Sequence, residues 1–200
     1  MFGRSVRATP DEASRRLPGD DLIPQSTASL THAITIGRPP REVWPWLAQM
    51  GAGSRAGWYS YDFLDNRGHS SAVRVVPELQ HITVGMVFPA LPGVSDGFSL
   101  VAFEPERFLI LGWLSTDRTL LVTWAFVLQE NEHYGTRLMV RARASPGYRF
   151  HSLPYWLSKR IVTVFHFIMQ RKQLLGIARR AESRLSVATH RTSEISGDPA

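Results

Sequence analysis

The sequence predicts an α+β fold in which a curved antiparallel sheet packs around one long C-terminal helix. Two observations predict this arrangement. Six segments between residues 71 and 144 have the two-residue period of strands, with hairpin-type breaks between them, as at Gly135. Residues 153–185 instead carry an apolar stripe at helical spacing. Because parallel neighbours need long crossovers, such short breaks favour antiparallel pairing.

The length of the chain, 200 residues, suits one domain with loose ends. Residues 1–30 are polar and broken by prolines, so we expect a polar tail and an extended lead-in there. The folded domain is predicted over 31–185, and the small, polar residues 186–200 are predicted to be disordered. The sequence contains no cysteine, which excludes disulfides and thiolate metal sites and suits a cytoplasmic location.

The domain is expected to begin with one strand and two short helices. Residues 31–37, THAITIG, alternate between two faces and predict the first strand. Pro39 and Pro40 suit the first turn of a helix, and Gly51 suits its end. A second short helix is predicted over 59–65.

The remaining strands bring the predicted sheet to seven. Their predicted ranges are 71–76, 81–89, 98–104, 107–113, 119–129 and 136–144. In the last of them, two faces alternate, one apolar and one rich in arginine. The apolar face consists of Leu138, Val140, Ala142 and Ala144, and the other consists of Arg137, Met139, Arg141 and Arg143.

The long helix that follows has basic residues on both sides of its apolar run. Pro154 suits its first turn, and the most apolar run, 161–169, is too short and too interrupted to span a bilayer. From Tyr134 onward the chain has 12 Lys and Arg against 3 Asp and Glu. These arginines either fill solvent faces or meet an anionic surface, so a weak peripheral membrane contact is one prediction for this helix.

Four segments carry a resemblance to a known superfamily. They are LPGDDLIP (17–24), THAITI with PPREVWPWLAQMG (31–51), GWYSYDFLDN (57–66) and HFIMQRKQLLGIARRAE (166–182). The chain resembles a bacterial branch of the START and birch-pollen-allergen (SRPBCC) superfamily, which includes the polyketide cyclase/dehydrase and lipid-transport group. The resemblance covers residues 17 to 182.

This resemblance implies a helix-grip fold, with seven strands around the last helix and an elongated apolar cavity between them. Members bind sterols, phospholipids, hormones or aromatic polyketides there, and some cyclise or dehydrate them. The superfamily has no universal catalytic motif, so the resemblance implies a fold and not a reaction.

The segment GWYSYDFLDN has two interpretations. Its aromatic residues are either packing residues, with Asp62 and Asp65 in water, or the wall of a site for a partly apolar ligand. In the second interpretation, the tyrosine and indole tips seek polar partners, and Asp62 orients a tyrosine or binds Arg74. The candidate ligand-binding residues here are Trp58, Tyr59, Tyr61, Asp62 and Arg74.

Further candidates lie on the predicted strands and the last helix. The large side chains either fill the core or line the cavity, and they are Trp113, Trp124, Phe126, Phe165 and Met169. His166 is either a satisfied core residue or a cavity-facing group with its basicity depressed by burial. Arg141 would serve as an anion hook if it pointed inward, but the high cost of burying arginine favours an outward position.

These observations predict a protein that binds a small hydrophobic or amphipathic ligand, with lipids included. The alternative is a cyclase or dehydratase of a polyketide-like substrate, with His166 or Asp62 as a weak candidate proton shuttle. The sequence contains no HExxH or GxSxG motif and only scattered histidines, so zinc and serine hydrolysis have no support. We expect no cofactor, no metal and no nucleic-acid partner.

Overall fold

The computed structural model describes residues 4–131, 134–146, 148 and 155–183, with the side chains of residues 155–163 and 165 outside that description. The helices are α1 (Pro10–Ser14), α2 (Pro40–Ala48), α3 (Asp62–Asp65) and α4 (Tyr155–Glu182). The strands are β1 (Ala28–Ile36), β2 (Val87–Pro89), β3 (Gly97–Glu104), β4 (Phe108–Leu114), β5 (Leu120–Glu130) and β6 (Thr136–Ala144). Within these ranges, no helix is long and apolar enough to cross a membrane.

The six strands form one antiparallel sheet in the order β1-β6-β5-β4-β3-β2. The helix α4 packs against β1 and α2, so the predicted α+β class and helix-grip arrangement are confirmed. The predicted number of seven strands is wrong by one. Residues 71–76 form no strand, and of the predicted strand 81–89 only the last three residues pair.

Side chains explain why residues 71–76 form no strand although they alternate like one. The side-chain amide of Gln49 bonds to both the Arg74 carbonyl, at 3.2 Å, and the Val76 N–H, at 2.9 Å. The Asp62 carboxylate accepts a bond from the Ser71 N–H at 3.0 Å. Because these side chains satisfy the backbone groups, a neighbouring strand is not needed to do so.

The main core lies between the inner face of the sheet and helices α2 and α4. Its buried members include Ile34, Phe126 and Val140 from the sheet and Leu47 and Ile177 from the helices. The strand residues among them share the inner face of the sheet because alternate residues of each strand point inward, as the two-residue period requires. The apolar face predicted for β6 is thereby confirmed.

The outer face of the sheet is covered by the N-terminal segment. Residues 4–27 include α1, which begins with a capping box between Thr9 and Glu12. Leu17 is buried in a small second cluster with Ala33, Val127 and Met139. The segment predicted as tail and lead-in is therefore packed against the domain from residue 4, and residues 186–200 lie outside the described ranges.

Candidate functional site

A cavity of about 740 Å³ lies between the inner face of the sheet and α4. Its volume is within the range of small-molecule sites, which is roughly 300–1,000 Å³. Most of its wall is apolar, and the described lining residues are Trp58, Ser60, Asp65, Ala90, Leu91, Phe98, Trp113, Val122, Trp124, Ala142, Tyr148, His166, Met169, Gln170 and Gln173.

Aromatic rings form one continuous wall of the cavity. The Trp58 and Trp124 rings stack with centroids 5.4 Å apart, and Phe98 meets Trp58 edge-on at 5.8 Å. Trp113 meets Phe98 edge-on at 5.3 Å. Such pairs hold one another in fixed orientations. A ligand therefore meets a wall of indole and phenyl faces whose positions are already set.

Two indole N–H groups of this wall, those of Trp58 and Trp124, are already bonded. Trp58 donates to the Pro89 carbonyl at 3.1 Å. Trp124 donates to the Gln170 side-chain oxygen at 2.9 Å, and Gln170 in turn donates to Gln173 at 2.8 Å. These bonds satisfy buried polar groups within the protein and leave the ring faces to contact a ligand.

Asp65, at the end of α3, is the acidic residue among the described residues that line the cavity. Both of its carboxylate oxygens are buried and have no hydrogen-bond partner among the described residues. Burial and, to a smaller extent, the nearby charge of Asp62 together raise the pKa of Asp65 from 3.8 to about 6. A carboxyl group with this pKa changes its protonation close to neutral pH, which makes it a candidate acid, base or ligand anchor.

His166 lines the cavity from α4. Burial lowers its pKa from 6.5 to about 4, and His32 on β1 adds to this effect because two nearby positive charges repel. The two imidazole rings lie 5.7 Å apart. The Nδ1 atoms of both are buried without a hydrogen-bond partner in the part of the chain that the structure describes. At neutral pH, His166 is therefore an uncharged base facing the cavity.

The structure brings five of the predicted ligand-binding residues to the cavity wall. They are Trp58, Trp113, Trp124, His166 and Met169. Phe165 lies on α4, with its side chain outside the described part of the molecule. The remaining candidates do not line the cavity, for the reasons that follow.

Tyr59, Tyr61 and Asp62 point away from the cavity. The Tyr59 side chain is 2% exposed, accepts a bond from Gln49 at 2.9 Å and packs under the Arg180 guanidinium. Tyr61 is 41% exposed. Asp62 binds both the N–H and the hydroxyl of Ser71, so the predicted pairing with Arg74 or with a tyrosine is not what the structure shows.

Arg74, Phe126 and Arg141 are also outside the cavity. Arg74 is exposed on the segment that forms no strand. Phe126 is fully buried in the core, with its ring centroid 5.0 Å from that of Trp124. Arg141 points to the outer face, as predicted, but it is buried there as well, because the N-terminal segment covers it and Asp20 binds it at 2.6 Å. It is therefore not an anion hook for a cavity ligand.

A glycine sets how closely α4 approaches the segment that carries Trp58. A Cβ atom at Gly176 would collide with the backbone oxygen of Tyr59. Only glycine allows this approach, in spite of its cost within a helix. The contact holds residues 58–60 against α4, where the Ser60 hydroxyl donates to the Met169 carbonyl at 3.1 Å.

Asp65 is the main site residue that was not predicted from the sequence, where its only predicted position was in water. The available signal was its position three residues after Asp62, at the end of the four-residue helix α3. Phe98 and the pair Gln170 and Gln173 were also missed. For the two glutamines, the signal was a polar pair at i, i+3 on the same helix face as His166 and Met169.

The low pKa of His166 predicts a pH dependence of stability. In the unfolded chain, His166 takes up a proton as the pH falls below about 6.5. In the folded protein, it takes up that proton only near pH 4. The free energy of unfolding should therefore fall by about 2 kcal/mol over this window, after allowance for partial exposure. Urea unfolding at pH 7.5 and 4.5 measures this fall in the free energy of unfolding. In the His166→Leu variant, the part of the fall that comes from His166 should disappear.

Exposed His81 supplies the control, because His81→Leu should leave the pH dependence of the parent protein unchanged. Asp65 has the opposite effect on the free energy of unfolding. Because its pKa is raised in the folded protein, the folded state binds a proton more readily than the unfolded chain between pH 6 and 4, which stabilises the folded state. The difference between His166→Leu and the parent is the quantity to compare. Equal losses of stability in both proteins would contradict the assignment.

Comparisons with known proteins give similarity to solved structures alone. No family model and no curated protein matches the chain. Similar solved structures include a Polyketide_cyc-like protein of Corynebacterium glutamicum, which is 16% identical in sequence. The match covers 84% of this chain and 99% of that chain, with a TM-score of 0.41. CalU16 of Micromonospora echinospora has 13% identity, 77% and 83% coverage, and a TM-score of 0.37. The Aha1 dimer of Colwellia psychrerythraea has 16% identity, 76% and 99% coverage, and a TM-score of 0.39.

Proposed function

We propose that this protein binds one small hydrophobic or amphipathic molecule in the cavity between its sheet and α4. The observation that carries the proposal is the cavity itself: about 740 Å³ of mostly apolar space, walled by prearranged aromatic rings. Removing about 100 Å² of apolar ligand surface from water contributes roughly 2.5 kcal/mol. The apolar wall thus supplies affinity, and the few polar groups supply orientation.

The polar groups are suited to a ligand with one polar end. Asp65 and His166 each present an unpartnered buried atom within the described residues, whereas the amide side chains of Gln170 and Gln173 bond to each other. A wholly apolar ligand would leave the first two unsatisfied, which is costly. An amphipathic ligand that bonds to one of them would remove that cost. Peripheral membrane contact through the basic C-terminal helix stays a prediction.

Acid–base catalysis in the same cavity is the second candidate function. The specific observation in its favour is that Asp65 and His166, both with shifted pKa values, line one cavity. Asp62, the candidate proton shuttle predicted from the sequence, instead accepts a hydrogen bond from the Ser71 hydroxyl. In a cyclase- or dehydratase-like reaction, neutral His166 would accept a proton from an acidic carbon, and protonated Asp65 would donate one to a leaving hydroxyl.

Native mass spectrometry of the freshly purified protein tests the proposed function. We expect a population heavier than the bare chain by the mass of one small molecule, and extraction with organic solvent should remove it. The same molecule should be retained by the control variant Asp117→Asn, whose carboxylate lies in the exposed turn between β4 and β5.

The same measurement separates binding from catalysis. If the protein only binds, any molecule that the Asp65→Asn and His166→Gln variants retain, in whatever amount, should have the same molecular mass as the parent's. If it catalyses a reaction, these variants should accumulate a substrate whose mass differs from the parent's bound molecule, for example by one water. Bare protein in every preparation, with no uptake from an added lipid extract, would contradict both candidate functions.

A further inference from the structure

We propose that the cavity selects ligands that carry a protonated amine, and that Asp65 is the residue that binds it. This inference rests on the proposed function, because it names the chemical class of ligand for the same cavity. Three features of the described residues support it: the state of the carboxylate, the absence of basic residues from the wall, and the chemistry of the aromatic faces.

The first feature is that the Asp65 carboxylate is buried without a donor. Both oxygens lack a hydrogen-bond partner among the described residues, although the side chain lines a cavity large enough for a ligand. Asp62, three residues earlier, shows the usual solution, since its carboxylate binds the N–H and hydroxyl of Ser71. A buried carboxylate needs such donors. For Asp65, hydrogen-bond donors could reach the carboxylate from the cavity that its side chain lines.

The second feature is that the described part of the cavity wall carries no basic side chain that could neutralise Asp65. No lysine or arginine occurs among the described residues that line the cavity. Two cations of α4 are directed elsewhere: Arg180 donates to the Ala72 carbonyl at 2.7 Å, and Lys172 lies over the Tyr61 ring. An anionic ligand would therefore meet a second negative charge and no positive one. A cationic ligand would supply the charge that the wall lacks.

The third feature is the aromatic wall. The faces of tryptophan rings attract cations through their quadrupole, more strongly than phenylalanine does. Trp58, Trp113 and Trp124 all line the cavity, with Phe98 between them. Aromatic faces beside one carboxylate suit an ammonium group attached to an apolar body: the charge pairs with Asp65, and the body contacts the rings.

A matched set of probes tests the inference. We select 1-naphthylmethylamine, 1-naphthalenemethanol and 1-naphthoic acid, which share an aromatic body and differ in the charge of the polar group. Isothermal titration calorimetry at pH 7.5 and low salt measures their affinities. The amine should bind at least about tenfold more tightly than the alcohol, as a charge-assisted hydrogen bond predicts, and the carboxylate should bind most weakly.

The variant Asp65→Asn keeps the shape of the side chain and removes its charge. It should reduce the amine's affinity to that of the alcohol, whereas exposed Asp117→Asn should leave the preference for the amine intact. Equal affinity of the parent for amine and alcohol, or an amine preference that survives in Asp65→Asn, would overturn this inference and leave the proposed function standing. Failure of all three probes to bind would instead count against the proposed function itself.

Discussion

Replacing Arg141 by alanine should destabilise the protein by about 3–5 kcal/mol, the largest loss that we expect from one substitution. The side chain is 3% exposed on the outer face of β6. It donates to the Asp20 carboxylate at 2.6 Å and to the Glu12 carbonyl at 2.7 Å, and it also binds Thr31 on β1 at 2.9 Å. Its removal would take the close ion-pair partner from the partly buried Asp20 carboxylate and a donor from the carbonyls of the N-terminal segment.

Urea unfolding measures this loss, and two further variants calibrate it. Arg107→Ala removes an exposed ion pair with Glu104 and should cost no more than about 0.5 kcal/mol. Arg141→Lys keeps the charge but cannot reach as many acceptors, so it should be intermediate. Trypsin should also cleave Arg141→Ala after exposed Arg16 faster than it cleaves the parent. A loss below about 1 kcal/mol in Arg141→Ala would contradict a structural role for this residue.

The fold could be predicted from the sequence where side-chain pattern alone decides structure. Both faces of β6 were predicted correctly, because side chains of a strand alternate between the two faces of the sheet and Arg137 and Arg141 lie on the face opposite the apolar one. The pattern failed at residues 71–76, which alternate equally well. There the bonds from Gln49 satisfy the backbone, and no local pattern reveals a side chain 25 residues away.

The candidate site was predictable only in part, since neighbouring residues of an irregular segment can point in opposite directions. Gly57 and Tyr59 have positive φ angles of 84° and 61°. The turn sends Trp58 to the cavity and Tyr59 to the core beside Trp46. A helical pattern would have placed them differently. Asp65 was missed for a related reason: its burial depends on how α4 and the sheet enclose it.

Filling the cavity should lower ligand affinity at least about 100-fold, the largest expected effect on function. Ala90 and Ala142 line the cavity from a loop and from β6, where Ala142 lies opposite Trp124. A double variant, Ala90→Trp and Ala142→Trp, places two indoles in space that a ligand would occupy. A bound molecule would have to displace them from a close-packed wall, which costs several contacts at once.

The control for this variant adds the same two indoles elsewhere. Ala13 is exposed on α1 and Val73 is 67% exposed, and neither lines the cavity. The pair Ala13→Trp and Val73→Trp should therefore bind ligand as the parent does. Circular dichroism and urea unfolding of both double variants should show folded proteins, so that a loss of binding reports on the cavity.

Titration with N-phenyl-1-naphthylamine, an uncharged apolar dye that fluoresces when it leaves water, is the most direct measurement of the central claim. The dye should saturate one site in the parent and in the surface double variant, and the filled cavity should lose that site. Saturable binding of equal strength in the filled variant, or no saturable binding in the parent, would contradict a ligand cavity between the sheet and α4.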